Sequence, residues 1–484
     1  MSFYRLYDRY ALRKFTNKIP FLIEYGYADS PKQISEEELN LLKKCDGITD
    51  IDINNLSKIE ADILHQYIHN GVVNELSEPL PLKIHRAYKE YNHKRIAQAT
   101  WALTLKCNLR CLHCLNLTEK YSNDEKEFSL ENAKTIVDRL IEYGVEAIEL
   151  FGGEPMIYPH FMEVVHMIYE AGMQINSIDS NGTLINEKIL DEFKSIDAYP
   201  MYAISFDGLG THDWMRNKKG CEEIVDRNIK LCLEKGFDVN VAININKKTL
   251  PVLDKTIDYF IKLGVKNFKL LRTSEAYRWQ QTEKKYGEPL TLSYTDFSNI
   301  MLDTMRKFLP DIKSKNICFN LNHGISVDAF TSRNTLLPEI KAPAEKISGW
   351  CPVAENGIFI GYQGHVAPCP GSESLLKLHG LYTDEINILK HSLEDIVYSD
   401  FYRDHFRITR ADIYNAEKEC RECSRWKVCY GGICRMNVKM VSDIFGAVAP
   451  PDRSYFAQRD MIYCSLLKGD FIDKLADIFD CKAL

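Results

Sequence analysis

The sequence lacks what would send a chain through or out of a membrane. No uninterrupted apolar run is long enough to span a bilayer. The opening Met-Ser-Phe-Tyr-Arg-Leu-Tyr-Asp-Arg carries charges where a signal peptide needs an apolar core, so a cytoplasmic chain without a membrane partner is expected. Positive excess is also missing. The 61 Lys and Arg stand against 68 Asp and Glu, a net charge of −7, which argues against a nucleic-acid partner because that would need a basic face. The first 80 residues hold no cysteine but Cys45. Beyond them cysteine is abundant: 14 of the 15 in the 484-residue chain lie there. An odd count in a chain of this size does not fit a disulfide scaffold; metal clusters in a reducing, anaerobic compartment fit it better. A hydrophobic content of 45% with 27% charged residues is that of an ordinary soluble protein with room for two or three domains.

The chain is organised around Cys107-Asn-Leu-Arg-Cys111-Leu-His-Cys114. These cysteines follow the apolar run Trp101–Leu105, and a strand there delivers them into the loop at its carboxyl end. Three thiolates can hold three irons of a [4Fe–4S] cluster and leave the fourth iron open to a chelating small molecule. A zinc site is the alternative, but zinc usually takes a fourth ligand or a second pair close by, and neither is present.

After Pro79, Pro81 and the polar run Lys83–Arg95, which reads as a linker, strand and helix patterns alternate. Strands are expected at Trp101–Leu105, Ala147–Phe151, Ile175–Asp179, Met201–Phe206, Val239–Ile243 and Phe268–Leu271. Helices are expected at Leu130–Tyr143, Phe161–Ala171, Glu187–Phe193, Cys221–Lys235 and Val252–Leu263. Gly144, Gly172, Gly236 and Gly264 sit just past four of them, where a helix stops. Six βα repeats imply an α/β fold, a parallel sheet curved into a partial (β/α)6 TIM-like barrel with its site at the carboxyl ends of the strands. Short polar or glycine motifs stand there: Phe151-Gly-Gly-Glu-Pro155, Ser180-Asn-Gly-Thr183, and Ser205-Phe-Asp207-Gly208 followed by Arg216.

The C-x3-C-x2-C loop followed by these motifs at successive strand ends resembles the radical S-adenosylmethionine (radical SAM) enzymes over residues 100–272. The resemblance implies a 5′-deoxyadenosyl radical made from SAM bound at the open iron. It also implies that the backbone of Gly152, Gly153 and Glu154 receives the SAM amino group and that Ser180 and Asn181 lie near the ribose. Ser205 and Arg216, with Asp207 between them, would hold the carboxylate, and His113 would lie beside adenine. Ser180 replaces the family's usual threonine.

From Cys351 the cysteines form a second pattern: Gly364 after twelve residues, Cys369 after four more, then Cys420-x2-Cys423-x5-Cys429, Cys434 and Cys464. This resembles the SPASM extension with its two auxiliary [4Fe–4S] clusters, which brings the expected number of clusters to three. One departure is that Cys429-Tyr-Gly-Gly-Ile-Cys434 has four intervening residues where three are usual. By the family pattern Cys420, Cys423, Cys429 and Cys464 hold the outer cluster and Cys351, Cys369 and Cys434 the inner one. The inner cluster then either keeps an open iron or takes Cys318. A zinc ribbon of Cys420, Cys423, Cys429 and Cys434 is the alternative, and it leaves Cys351 and Cys369 without a role.

In front, two strand-like runs near Tyr10–Phe15 and Pro20–Tyr25 precede helices opening at Ser35 and Ser57, then Gly71-Val-Val. This order resembles the winged-helix-like RiPP recognition element of ribosomal peptide maturation; a plain N-terminal extension is the alternative. The expected domains are 1–85 for this module, 86–99 linker, 100–310 barrel, 311–350 bridge and 351–484 SPASM. The combination resembles maturases of ribosomally made precursor peptides, with the leader on the N-terminal module and an external flavodoxin or ferredoxin as electron donor. An intramolecular crosslink is the expected product, a thioether from cysteine sulfur to carbon first and a C–C or C–O bond next. A sulfatase-type formylglycine maturase and a non-enzymatic iron–sulfur carrier or scaffold are the alternatives. Epimerisation would need a hydrogen-returning thiol, for which Cys221, Cys232 and Cys318 are the candidates. Cys318, His323 and Asp328 otherwise carry no assigned role, and the catalytic base is unassigned.

Overall fold

The computed structural model describes residues 2–16, 19–25, 31–114, 128–275, 277–321, 325–331, 336, 356–378, 380–381, 383–429, 464 and 468–482. Cys351, Cys434 and His323 lie outside them.

The N-terminal module is built from short strands and two helices. Strands β1 (Phe3–Leu6), β5 (Asp46–Asp50) and β6 (Val73–Leu76) form an antiparallel sheet in the order β5-β1-β6. A second sheet orders β4 (Lys32–Gln33), β3 (Pro20–Glu24), β2 (Tyr10–Lys14) and β7 (Lys89–Glu90) as β4-β3-β2-β7. The helices Glu36–Lys44 and Lys58–His69 start where Ser35 and Ser57 form capping boxes with Glu38 and Glu60. Each box satisfies two backbone N–H groups that the first helical turn leaves open. Leu39, Leu42, Leu64 and Tyr67 close a core against Tyr4, Leu6 and Val73. The two expected strands and two helices are thus present, together with β1, β5 and β6, which are only four or five residues long.

The stretch expected as a linker is packed instead. Buried Arg86 donates through Nη1 to Gly172 O (2.6 Å) and through Nε to Asp8 O (2.5 Å). His93 stacks on Tyr143 with ring centroids 3.7 Å apart. Polar composition was misleading here because a buried arginine can satisfy carbonyls of two units at once.

The main sheet has ten strands in the order β15-β14-β13-β12-β11-β10-β9-β8-β16-β17. Strands β8 (Gln98–Thr104), β9 (Ala147–Gly152), β10 (Gln174–Ser180), β11 (Met201–Ser205), β12 (Val239–Ile245) and β13 (Asn267–Arg272) are the six expected ones and run parallel. Their intervening helices are Leu130–Tyr143, Phe161–Glu170, Glu187–Ser195, Cys221–Glu234 and Leu253–Leu263. Gly144 (φ +89°) and Gly264 (φ +101°) end two of these helices in the left-handed conformation that glycine alone adopts without strain.

The sheet continues past the six repeats. On one side β14 (Cys318–Leu321) pairs parallel with β13, and β15 (Ile325–Val327) pairs antiparallel with β14. On the other, β16 (Gly357–Ile360) pairs parallel with β8, and β17 (Val366–Ala367) folds back on it. The regions expected as a bridge and as a separate C-terminal domain therefore contribute strands to the barrel sheet. The helix Phe471–Phe479 buries Ile472, Leu475 and Phe479 in the same core, against the long helix Tyr294–Lys315.

Burial alternates along these strands. Trp101, Leu150, Ile178, Ile204, Val241, Ile243 and Leu270 are buried in the core beneath the helices, and each fully buried side chain of this kind stabilises by about 1.5–3 kcal/mol. A one-residue slip of register would turn all of them away from the helices, so the opposite face is fixed as well. That concave face is polar and half-buried, with Thr100, Glu149, Asp179, Asn240, Asn244 and Lys269 along it.

Candidate functional site

The site begins where β8 ends. The loop after Thr104 carries half-buried Cys107, buried Cys111 and half-buried Cys114. It is anchored on both sides. Leu112 N–H donates to Met215 O (2.9 Å), and Arg278 Nη1 donates to Cys111 O (3.3 Å). The loop after β9 meets it at backbone distance: Gly153 N–H donates to Thr104 O (2.8 Å) and Glu154 N–H to Lys106 O (2.9 Å). A Cβ on Gly152 would lie 2.3 Å from Thr104 O, and one on Gly153 2.3 Å from Lys106 O. The two glycines are therefore required by the close approach of the chain to its own cysteine loop.

Glu154 is fully buried and ties β9 to β10. Its carboxylate accepts from Ser180 Oγ (3.0 Å), Asn181 N–H (2.8 Å) and Met156 N–H (3.4 Å). Burial pushes its pKa up to about 7, and the bonds from Asn181 and Ser180 work the other way. Asn181 then reaches the cysteines. Its Nδ2 donates to Asn108 Oδ1 (2.8 Å) and lies 3.7 Å from Cys107 Sγ, while Thr183 Oγ1 accepts from Asn108 Nδ2 (2.8 Å).

Arg216 is buried beside the second cysteine. Its Nη1 donates to Cys111 Sγ (3.6 Å) and its Nε lies 2.7 Å from Asp207 Oδ2. Burial opposes the Arg216 charge, and the Asp207 and Cys111 side chains more than offset it. Asp207 also accepts from Asn244 N–H (3.2 Å). Asn244 Nδ2 donates to His113 Nε2 (3.2 Å), which puts the imidazole proton on Nδ1. Burial, with Arg216 and Arg278 nearby, holds His113 well below its ordinary pKa, so the ring is neutral.

The structure thus gathers His113, Gly152, Gly153, Glu154, Ser180, Asn181, Asp207 and Arg216 around the three cysteines. Ser205 stands half-buried at the end of β11, and no hydrogen bond joins it to Arg216 among the described residues. Arg216 pairs with Asp207 and faces Cys111. Asn108, Asn244, His212 and Arg278 were missed in sequence. Asn244 was the most accessible of them, since it lies at the carboxyl end of a strand already expected.

These residues fit a thiolate-bound cluster with a small polar ligand. Two nitrogen donors point at cysteine sulfurs, where hydrogen bonds and positive charge favour thiolate. Two buried nitrogens at the same place, His113 Nδ1 and Arg216 Nη2, have no hydrogen-bond partner among the described residues.

The auxiliary cysteines lie elsewhere. Cys318 is the first residue of β14, opposite Asn267 at the start of β13. The register of β16 with β8 and β17 carries the chain toward Cys369 at the same, amino, ends of the strands. Cys369 is half-buried, and its Sγ accepts from Ser372 N–H (3.4 Å). Cys420, Cys423, Cys429 and Cys464 line one cavity together with Trp426 and Lys468. Cys434, the remaining member of a zinc ribbon, lies outside the described residues. Among the described residues no three His, Cys, Asp or Glu side chains converge as ligands of a single ion.

Cys221 and Cys232 are fully buried, and burial pushes them up to about 11 and about 12. His212 sits 3.6 Å from Cys221 Sγ. Both thiols are enclosed in the barrel core.

Comparison with known proteins accords with this geometry. The family model of the radical SAM superfamily matches residues 101–263, and that of the SPASM iron–sulfur cluster-binding domain matches residues 351–424. Among curated proteins, "Fe-coproporphyrin III synthase" of Methanosarcina barkeri is 32% identical over 33% of this chain and 39% of its own length. "Antilisterial bacteriocin subtilosin biosynthesis protein AlbA" of Bacillus subtilis is 28% identical over 37% of this chain and 39% of its own. The chain thus spans about two fifths of the length of these relatives. The fold is shared more widely. Streptococcus suis SuiB bound to precursor peptide SuiA superposes with a TM-score of 0.63 at 15% identity, covering 95% of this chain and 99% of that one. AnSMEcpe with bound AdoMet and a peptide gives 0.54 at 16% identity, covering 79% of this chain and 98% of that one. No helix among the described residues is long and apolar enough to cross a membrane. The chain thus carries a radical SAM domain over residues 101–263, followed by a SPASM iron–sulfur cluster-binding domain over residues 351–424.

Proposed function

We propose that the chain is a radical SAM peptide maturase that installs an intramolecular crosslink, a thioether between a cysteine sulfur and a carbon, in a ribosomally made precursor peptide. One observation carries this reading. The three-cysteine loop lies at the carboxyl ends of the barrel strands, Cys369 and Cys318 lie at the amino ends, and a polar concave face runs between them. When bound, the cluster and SAM supply a 5′-deoxyadenosyl radical that takes a hydrogen atom from substrate. Cys107, Cys111 and Cys114 would hold that cluster. Cys420, Cys423, Cys429 and Cys464 would hold an outer auxiliary cluster, and Cys369 with Cys351 and Cys434 an inner one, three [4Fe–4S] clusters in all. Asn181, Arg216 and Asn244 fix the loop; Glu149, Asp179 and Lys269 line the space a peptide would enter.

The N-terminal module supports a peptide substrate. Residues 80–82 cover the outer edge of β5, with Leu80 N–H donating to Gly47 O (2.8 Å) and Leu82 N–H to Asp46 O (3.1 Å). The opposite edge, β6, is where a leader would add a strand, gaining main-chain hydrogen bonds without needing to be folded beforehand. The wider cover of the SuiB fold, 95% against 79% for anSMEcpe, favours the precursor-peptide reading over the sulfatase type. A C–C or C–O crosslink uses the same parts. A cytoplasmic setting, where thiols stay reduced and a flavodoxin or ferredoxin can supply electrons, suits all of these chemistries.

The test is to incubate the reconstituted chain, SAM and reductant with the peptide encoded beside its gene. A product lighter by two hydrogens, whose cysteine no longer reacts with iodoacetamide, bears the reading out. A product lighter by two hydrogens with its cysteine still reactive moves it to the C–C or C–O form. An unaltered peptide in the presence of active SAM cleavage refutes it.

A further inference from the structure

A basic and aromatic surface lies directly over the cysteine loop. Leu112, the residue after Cys111, lines a pocket of about 350 Å³ with Trp214, Lys218, Lys219, Lys285 and Tyr286. Trp214 donates its indole N–H to Tyr286 OH. The Lys248 ammonium lies 4.7 Å from the Trp214 ring centroid and 5.1 Å from that of Tyr286. Lys218, Lys219, Lys247, Lys248, Lys284 and Lys285 are all exposed here, on a chain whose net charge is −7. Asp213, which also lines the pocket, Glu283 and Glu288 offset part of this charge and leave the lysines in excess. Asp213 accepts from the N–H groups of Gly220 (2.6 Å) and Glu222 (2.7 Å), and Glu283 from those of Leu290 (2.8 Å) and Thr291 (2.7 Å). Glu288 remains exposed.

The patch is coupled to the loop beneath it. Leu112 and Trp214 pack on the small core of Met215, Trp279 and Leu290. Leu112 N–H is bonded to Met215 O, and Arg278, on the helix Tyr277–Tyr286 that also bears Lys284 and Lys285, is bonded to Cys111 O. One residue of chain therefore separates a cysteine ligand from a positively charged, aromatic surface.

We propose that this face is the docking site of an acidic one-electron donor protein of the flavodoxin type, which reduces the cluster held by Cys107, Cys111 and Cys114. The inference rests on the reading of those cysteines as a redox cluster and adds the route by which the electron arrives. Opposite charge raises the encounter rate and orients the partner. Redox encounters use small interfaces, and half-buried Trp214 with exposed Tyr286 supplies a rigid contact with a polar edge. In the step itself the donor's flavin hydroquinone gives up one electron and becomes the semiquinone, the cluster gains that electron, and no covalent bond of this chain is made or broken. An oligonucleotide is the other ligand that lysines and stacked aromatics suit, but the net negative charge of the chain disfavours it.

The test uses the reconstituted full chain and an oxidised flavodoxin as probe, with binding read from flavin fluorescence anisotropy. Binding is expected to weaken about tenfold or more between about 50 and about 300 mM salt. The charge reversals Lys218→Glu, Lys219→Glu, Lys284→Glu and Lys285→Glu together should weaken it about tenfold further and slow cluster reduction by flavodoxin hydroquinone in proportion. The control Lys188→Glu with Lys194→Glu, on another exposed helix, should change neither. Dithionite-driven SAM cleavage in the four-lysine variant should match the parent, which shows that fold and cluster are intact. Unchanged flavodoxin affinity in that variant would overturn the proposal, as would an oligo(dT) probe that binds this face more tightly than flavodoxin. A parent chain that fails to cleave SAM with dithionite would instead overturn the cluster reading, and this proposal with it.

Discussion

Removal of Asp207 should be the most damaging single change at the site. Asp207 is fully buried and Arg216 nearly so, and they pair at 2.7 Å. Asp207→Ala leaves the guanidinium buried with no compensating charge, and breaking a buried pair from one side costs about 3–5 kcal/mol. That is a large share of the roughly 5–15 kcal/mol by which a folded domain is stable. Replacing both partners, as Asp207→Leu with Arg216→Met, removes the orphaned charge along with the pair, so the double variant should be more stable than Asp207→Ala. The assay is anaerobic urea unfolding of the cluster-free chain followed by circular dichroism, with the coupling taken from a double-mutant cycle and expected at about 2–3 kcal/mol. Bound iron should fall too, because Arg216 is what bridges Asp207 to Cys111. A loss below about 0.5 kcal/mol for Asp207→Ala, within the range of ordinary surface substitutions, would refute the assignment of this pair as the brace of the loop.

Gly153→Ala should strip iron from the Cys107–Cys114 site, since its Cβ would meet Lys106 O at 2.3 Å and Leu105 O at 2.5 Å and the cysteine loop must move; Gly236→Ala, with nothing within 4 Å, should cost only its left-handed backbone, about 1–2 kcal/mol, and no iron. Iron and sulfide analysis reads both variants. Burial and the Glu149 charge push Asp179 up to about 7, with Lys269 opposing. The folded chain then binds the Asp179 proton more tightly than the unfolded one, so stability should fall as pH rises from about 4 to about 7 and level off above that. Asp179→Asn should flatten that fall, and an unchanged pH dependence of the urea midpoint would contradict the assignment. Changing Cys420, Cys423, Cys429 and Cys464 together to Ser should lower bound iron from about twelve to about eight per chain while SAM cleavage persists; loss of cleavage would show that these residues serve the catalytic cluster itself.

The barrel was legible because each of its repeats agrees at several levels. Leu130–Tyr143 shows helical spacing, a Ser129 cap and a Gly144 stop, and the helix has those bounds. The strand expected at Ile175–Asp179 was found and runs one residue further at each end, onto the polar Gln174 and Ser180. The short, half-exposed strands β5 and β6 and the buried Arg86 were not legible, since none has a periodicity to mark it. At the site the cysteines were marked by their spacing, and the glycines and Asn181 by their place at strand ends. Their partners in space were not, because spacing does not show which carboxylate an arginine will find. Arg216 pairs with Asp207, only nine residues earlier in the chain, and no pattern in the sequence marks that pairing.

The most direct measurement of the central claim is the formation of 5′-deoxyadenosine from SAM by the reconstituted, dithionite-reduced chain, followed by chromatography against the Cys107→Ala, Cys111→Ala, Cys114→Ala triple variant. The account predicts steady formation by the parent, none by the triple variant, and a loss of about four irons in that variant. Deoxyadenosine produced by the triple variant, or none from a parent carrying its full iron, would contradict it.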